Sequence, residues 1–400
     1  MDMNLFKAVI ERNQEDVRKY LALVDVHDEA AKEALTSAFL EAACRSAAIL
    51  RLFLDANFDI NAADEVGDTA LMVAARGEDT VRFHSLFIAF MLPHGLQYAF
   101  DDMDDEDDPR LGKDGKPVRA ATYPHIILTL SLYGQLEELP YVESLANVEE
   151  LLRRGADVNR TNNAGETALM QALMIGGQCD IVRLLVDAPA CDVHAHDKKG
   201  YRALHYAAVR GLGDCLRVLL DAHNDIHAKT NDGDSVLYLA CTSGKADVVN
   251  QVLALGPDLN TPNHDGQTPL MTAAIYGTPD VVQSLLARDV DVAMADEASH
   301  YGMTALHHAV YCGAKVAVVA LLVEAKSDVN NTCIDEMANT ILHDAMAGTS
   351  DDVADYLLQQ GAVVDALNGE GKTPAELAQE LKRDDMLQVL RKHGATVAVP

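Results

Sequence analysis

Apolar residues along this chain come in short bursts at helical spacing, and polar loops built around a glycine separate the bursts. Residues 266 to 292 show the pattern clearly. Gly266 stands in a tight turn, where positive φ is needed. Thr268 is placed to cap a helix, and Pro269 follows at the first helical position, where its missing N–H costs nothing. Leu270, Ala273 and Ala274 predict a short inner helix, and Gly277 ends it in a left-handed cap. Asp280, Val281, Val282, Leu285 and Leu286 predict a second, outer helix, and Asp291 and Val292 lead the chain outward again.

The same phrase recurs. Gly165-Glu166-Thr167-Ala168-Leu169, Gly266-Gln267-Thr268-Pro269-Leu270 and Gly302-Met303-Thr304-Ala305-Leu306 are its strong copies, and weaker ones stand at Gly67, Gly200, Gly233, Ala338 and Gly371. Neighbouring copies from 165 onward lie 35, 33, 33, 36, 36 and 33 residues apart. A period of about 33 residues that opens on a turn and carries two helices predicts a stacked solenoid. Each unit then packs only on its neighbours, which overrides the two or three globular domains that length alone would suggest.

The phrases Tyr201-Arg202-Ala203-Leu204-His205-Tyr206-Ala207-Ala208 and Thr304-Ala305-Leu306-His307-His308-Ala309, with the hairpin entry Gly155-Ala156-Asp157-Val158-Asn159, resemble the ankyrin repeat. The resemblance is clear over residues 146 to 400. It implies an all-α solenoid of stacked helix-turn-helix pairs with β-hairpin-like loops. Asn4 to Leu23 and Ala38 to Asn61 read as fainter helix pairs, the first a capping unit, and Lys382 to Asp385 mark a polar C-terminal cap. Counting caps gives about ten or eleven units. The chain divides into residues 1–92 (N-terminal cap and degenerate repeats), 93–146 (an insertion with an acidic loop and a distorted repeat) and 147–400 (regular repeats with the C-terminal cap). The distorted repeat would begin near Thr122 and take Val148 to Arg154 as its outer helix.

Composition sharpens this in three ways. Trp is absent and aromatics are 5% of the chain, so Ala and Leu carry the packing of thin, closely stacked helices. The formal charge of −30 argues against nucleic acid as a direct partner, because phosphate binding needs Lys and Arg to replace counterions, and it favours a basic partner surface. Seven cysteines, an odd number without a Cys-x-x-Cys spacing, indicate neither a disulfide framework nor a zinc site and point to a reducing, cytoplasmic setting. Cys179, Cys215, Cys241 and Cys312 fall in helical segments as small buried hydrophobes. No signal peptide or membrane span is expected.

Seven of the eight residues from 101 to 108 are acidic, a block that reads as a solvated loop or a contact for a basic partner. It lacks the alternating carboxylates and glycine of an EF-hand. Gly371-Lys372-Thr373 imitates the end of a phosphate loop, but position 366 is Ala where the first glycine would be, so the phrase reads as a repeat's hairpin and helix start. His194-Ala195-His196-Asp197 is a weak chelating spacing on a hairpin. His205, His307 and His343 occupy the histidine slot of the ankyrin phrase, which implies bridging of backbone groups; His308 falls outside it. No catalytic, cofactor-binding or metal-binding residues are assigned, and no enzyme activity is expected.

The resemblance implies binding across hairpin tips and the exposed ends of inner helices. Lys198, Lys199 and Arg210 form a basic island there, next to Tyr201. Tyr276, Tyr301, Met303, Tyr311, Met337 and Met346 form a Tyr- and Met-rich stretch over three adjacent units, of the residue types that anchor interfaces. The expected role is a scaffold or adaptor, monomeric on its own, that grips another protein on its concave face without cofactors or a membrane. An acidic inhibitor that occupies a basic site is the alternative. Asn159, Asn260 and Asn330 match the hairpin position that some hosts hydroxylate in this family.

Overall fold

The turn-helix-turn-helix phrase folds as its pattern predicts. The structure, a computed structural model, describes residues 3–24, 26, 29–76, 144–175, 178–222, 225–276, 278–296, 301–348 and 350–396. Among these residues twenty helices form ten pairs. They are α1 (Met3–Ile10) with α2 (Gln14–Leu21), α3 (Glu29–Arg45) with α4 (Ala47–Asp55), and α5 (Ala70–Ala75) with α6 (Ser144–Arg153). Next come α7 (Ala168–Ile175) with α8 (Cys179–Val186), α9 (Ala203–Val209) with α10 (Gly213–Asp221), and α11 (Val236–Thr242) with α12 (Ala246–Leu253). Then follow α13 (Pro269–Ile275) with α14 (Pro279–Leu286), α15 (Ala305–Tyr311) with α16 (Val316–Glu324), α17 (Ile341–Gly348) with α18 (Asp351–Gln359), and α19 (Pro374–Glu380) with α20 (Asp384–Lys392). First helices stack on first helices and second on second, so one continuous apolar core runs along the array. The described residues contain no extended strand; five hairpins are held by an isolated bridge, such as Lys229 with Ser235.

The α13 helix starts on a reciprocal cap. The Thr268 hydroxyl accepts from Met271 N, while Thr268 N donates to Met271 Sδ. Position four of the phrase supplies the returning acceptor: Met72 in α5, His205 in α9, His307 in α15, His343 in α17 and Glu376 in α19. Two histidines do more. His205 Nε2 reaches Ala228 O at 3.1 Å and His343 Nε2 reaches Lys372 O at 3.0 Å, which joins each helix to the next hairpin. Burial pushes both imidazoles below their ordinary value of 6.5. The unfolded chain therefore takes up these protons more readily, and their neutral packing stabilises the fold fully only above about pH 6.5. Denaturation midpoints should fall as pH drops below about 6.5, and His205→Met, the residue that serves in α13, should flatten that slope.

Hairpins repeat a second device. Asp64, Asn162, Asp197, Asn263 and Asn368 open their hairpins, and each turns its side-chain oxygen onto the backbone N–H four residues on. Thr230 and Asp296 serve likewise, to Asp234 N and Met303 N. In the unit that carries α17 the position is Cys333. Neighbouring hairpins are stitched by backbone bonds, as from Lys198 N to Ala164 O (2.9 Å) and from Ile334 N to Tyr301 O (2.8 Å). The fit is tight at Gly200, whose φ is +79° and whose added Cβ would stand 2.6 Å from Asn231 N. Gly361 has a similar φ of +95° and open space around it. Gly361→Ala should cost about 1–2 kcal/mol of conformational strain and Gly200→Ala clearly more, read as urea midpoints.

A third device is an asparagine ladder. Asn159 accepts from Asp192 N and donates to Ala190 O, Asn260 accepts from Asp291 N, and Asn330 bridges Val363 N and Gly361 O. The positions that match the hydroxylation slot thus pin one unit to the next.

The same ladder corrects the reading of the N-terminal third. Asn61 accepts from Asp157 N at 2.9 Å, Asn163 N donates to Val66 O at 2.8 Å, and α5 packs directly on α6 and α7. The unit at Gly67 is therefore the immediate neighbour of the unit at Gly165. Val148 to Arg154 belong to the outer-helix layer of the Gly67 unit, not to a distorted repeat begun at Thr122. The reason is spacing: residues 77–143 separate the inner and outer helices of one unit, so a count of periods along the chain misplaces α6. Residues 93–143, the acidic run 101–108 and Thr122 lie outside the described residues.

Candidate partner-binding surface

Among the described residues, ends of inner helices and tips of hairpins carry several of the exposed apolar groups. Tyr276 caps the C-terminus of α13 and is 57% exposed; Tyr311 ends α15 and is 58% exposed. Tyr301 (55%), Ile334 (64%) and Met337 (38%) stand on the two hairpins that precede α15 and α17. These hairpins are longer than the others. The capping residue and the N–H it covers are four positions apart at Asn263 but seven at Asp296, and Cys333 N pairs with Asn339 O six positions on. Ile334 is brought beside Tyr301 by the bond from its own N–H. The exposure of Ile334 could have been found by aligning Cys333 with Asn263 and reading one position on.

The remaining expected contacts divide. Arg210 and Lys198 with Lys199 are exposed, as a basic island requires. Tyr201 is half-buried, its ring 5.3 Å from Tyr206, and Met303 is likewise half-buried. Met346 is fully buried and leaves the expected surface. It occupies the slot held by Ala208, Cys241, Ala274 and Val310, all fully buried, where inner helix packs on inner helix. Cys312, expected as a buried hydrophobe, is instead exposed, because it caps α15 just beyond that stripe.

Comparison with known proteins agrees with this geometry. The family described as ankyrin repeats (3 copies) matches residues 141–232, 219–296 and 237–333. The chain is an ankyrin repeat protein. Its similarity to the E3 ubiquitin-protein ligase XBAT33 of Arabidopsis thaliana is 43% identity over 70 residues, 18% of this chain and 14% of that protein. The probable E3 ubiquitin-protein ligase XBOS33 of Oryza sativa subsp. japonica matches at 43% over 70 residues, 18% of this chain and 13% of that protein. The chain thus spans about one seventh of the length of the curated relatives it matches. Among solved structures, the human ASB11 ankyrin repeat domain aligns with a TM-score of 0.52 and 24% identity, covering 58% of this chain and all of that one.

Within the ankyrin frame the remaining chemistry takes its place. Thr373 caps α19 against Glu376, and Lys372 pairs with Glu370 (3.0 Å) and Glu380 (2.9 Å), so Gly371-Lys372-Thr373 serves the repeat. Asp197 is buried under its hairpin, where its carboxylate also accepts from Tyr206 OH at 2.7 Å, while His194 faces solvent. His308, outside the repeat's histidine slot, meets the buried carboxylate of Asp296 at 2.9 Å.

One cluster breaks the frame. His307 Nδ1 accepts from Thr304 N, but its buried Nε2 has no hydrogen-bond partner, unlike His205 and His343. The Asn331 carbonyl is near enough to favour protonation without meeting hydrogen-bond geometry, and burial still pushes this imidazole down to about 4. Asp344, buried on α17, accepts weakly from Asn339 at Oδ1 and leaves Oδ2 without a partner; burial pushes its carboxyl up to about 7. Cys333 is buried beside them, its thiol pushed up to about 12 by burial. One donor atom from each of the three lies within 4.8 Å of the others.

Proposed function

We propose that this ankyrin repeat protein is a non-catalytic scaffold that grips a segment of another protein along the units of α13, α15 and α17. The observation that carries the reading is the exposure of Tyr276, Tyr301, Tyr311 and Ile334 in three consecutive units of a chain with few aromatics. Apolar and aromatic anchors dominate interface energetics, and exposed groups of this size in one region are a cost that binding would remove. Asp335 and Glu336 stand between Ile334 and Met337 on the same hairpin, so the segment bound combines apolar and basic residues. Ubiquitin ligation, named for two relatives, is not carried over, because only 70 residues are shared.

The test compares proteins captured from the chain's own cells by wild type and by a Tyr276→Ala/Tyr311→Ala/Ile334→Ala variant. Affinity for the captured partner should fall at least about 100-fold, since each of the three anchors is worth about 1–2 kcal/mol. Full affinity in a variant that melts like wild type places the anchor elsewhere. The charge of −30 favours one rival, an inhibitor that covers a basic site. Its affinity would collapse between low and high salt, whereas apolar anchoring loses little.

A further inference from the structure

Two thiols meet on the outer layer of the array. Cys179 is the first residue of α8 and Cys215 the third of α10, and these helices pack on each other in adjacent units. The repeat explains the meeting. Four successive outer helices open alike, as Cys179-Asp180-Ile181, Gly213-Asp214-Cys215, Ala246-Asp247-Val248 and Pro279-Asp280-Val281, with the third residue buried each time. A Cβ added at Gly213, a first position, would stand 3.6 Å from Cγ2 of Val248, the third position of the next helix. The same two positions one unit earlier hold Cys179 and Cys215, and there the thiols come within hydrogen-bond reach of each other. A disulfide needs Cβ atoms about 3.5–4.5 Å apart, and a first-position Cβ that touches the facing γ atom is placed for that span. Both thiols also line an open cavity of about 240 Å³, with Gly211, Leu212, Gly213 and Asp214.

We propose that Cys179 and Cys215 are a redox pair, oxidised by hydrogen peroxide to a disulfide that clamps two consecutive repeats. Cys179 is half-buried and meets the reagent first, whereas Cys215 is 2% exposed and lies behind it. The Cys179 thiolate attacks one peroxide oxygen; an S–O bond forms, the O–O bond breaks, and the departing hydroxide takes a proton and becomes water. The Cys215 sulfur then attacks the sulfur of the Cys179 sulfenic acid; the S–S bond forms, the S–O bond breaks, and the hydroxide leaves as water with the Cys215 proton. Two thiols lose two electrons and two protons, and one peroxide becomes two waters. The second step is the slower. Burial, and after it the neighbouring thiol, push Cys215 up to about 12, so little thiolate is present, and direct contact with the target sulfur offsets that scarcity. The bridge joins the unit of α7 and α8 to that of α9 and α10, so oxidation stiffens the part of the array that carries Lys198, Lys199 and Arg210.

The test treats the full chain with a small excess of hydrogen peroxide, blocks remaining thiols with iodoacetamide in denaturant, and maps unreduced tryptic peptides by mass spectrometry. The peptide that ends at Arg183 should appear joined to the peptide 211–217, and dithiothreitol should part them. The oxidised chain should melt at a higher temperature than the reduced one. Cys179→Ala and Cys215→Val introduce the residues that hold those positions in α12, so each should fold and should lose both the joined peptide and the rise in melting temperature. Cys191→Ser should keep both. Cys179 and Cys215 recovered unjoined after peroxide, or Cys179 joined to a different cysteine, overturns the pair. A joined peptide without a rise in melting temperature overturns the clamp.

Discussion

Arg76→Ala should destabilise the chain by about 3–5 kcal/mol, the cost of removing the cation from a buried ion pair. Arg76 is buried at the end of α5 and pairs with Asp68, itself 1% exposed. Arg76 Nε donates to Gln171 at 2.8 Å, Gln171 donates to Glu166, and Asn162 ties Glu166 (2.7 Å) back to Asp68 (2.9 Å). Removing the guanidinium takes the cation from Asp68 and the donor from Gln171 Oε1 together, across the seam between the Gly67 and Gly165 units. An Arg76→Met/Asp68→Asn double variant removes both charges and should recover most of the loss. Chemical denaturation of the three proteins checks this; equal stability of Arg76→Ala and wild type would mean water replaces the guanidinium.

Phe53→Ala should cost a similar 3–5 kcal/mol, but the loss should be local. Phe39, Phe53 and Phe58 pack with ring centroids 5.0–6.0 Å apart, and Phe39 and Phe53 are fully buried. In a stack where each unit touches only its neighbours, the cavity weakens α1 to α4 and leaves distant units with their own contacts. A separate early transition should appear in the melt, with the main transition unmoved. One cooperative, uniformly lowered transition would show that the whole array folds as a unit.

The repeats were legible because their geometry is local. Positive φ at Gly165, Gly200 and Gly266, a capping Thr at 268 and alanine at close helix contacts each demand a residue type at a fixed spacing. The partner of α5 was not legible, because residues 77–143 stand between them in sequence while spacing says nothing about which helices touch. Tyr276, Tyr301 and Tyr311 were readable as exposed since they fall outside the buried stripe. Met346 was misread by one position: aligned from Thr340, it matches Val310 and not Tyr311. Cys333, His307 and Asp344 lie 11 to 37 residues apart without a metal motif's spacing, and only the stacking of two units brings them together.

The break between α5 and α6 has a practical consequence. A chain opened anywhere within 77–143 is divided inside a repeat, so α5 and α6 fall on different pieces. Each piece loses an apolar contact of α5 with α6 and the polar bonds of Ala43 O with Asn147, Arg154 with Asp55, and Glu150 with Arg51. Separately expressed halves should therefore recognise each other and reassemble, which makes this chain a ready-made split-protein pair.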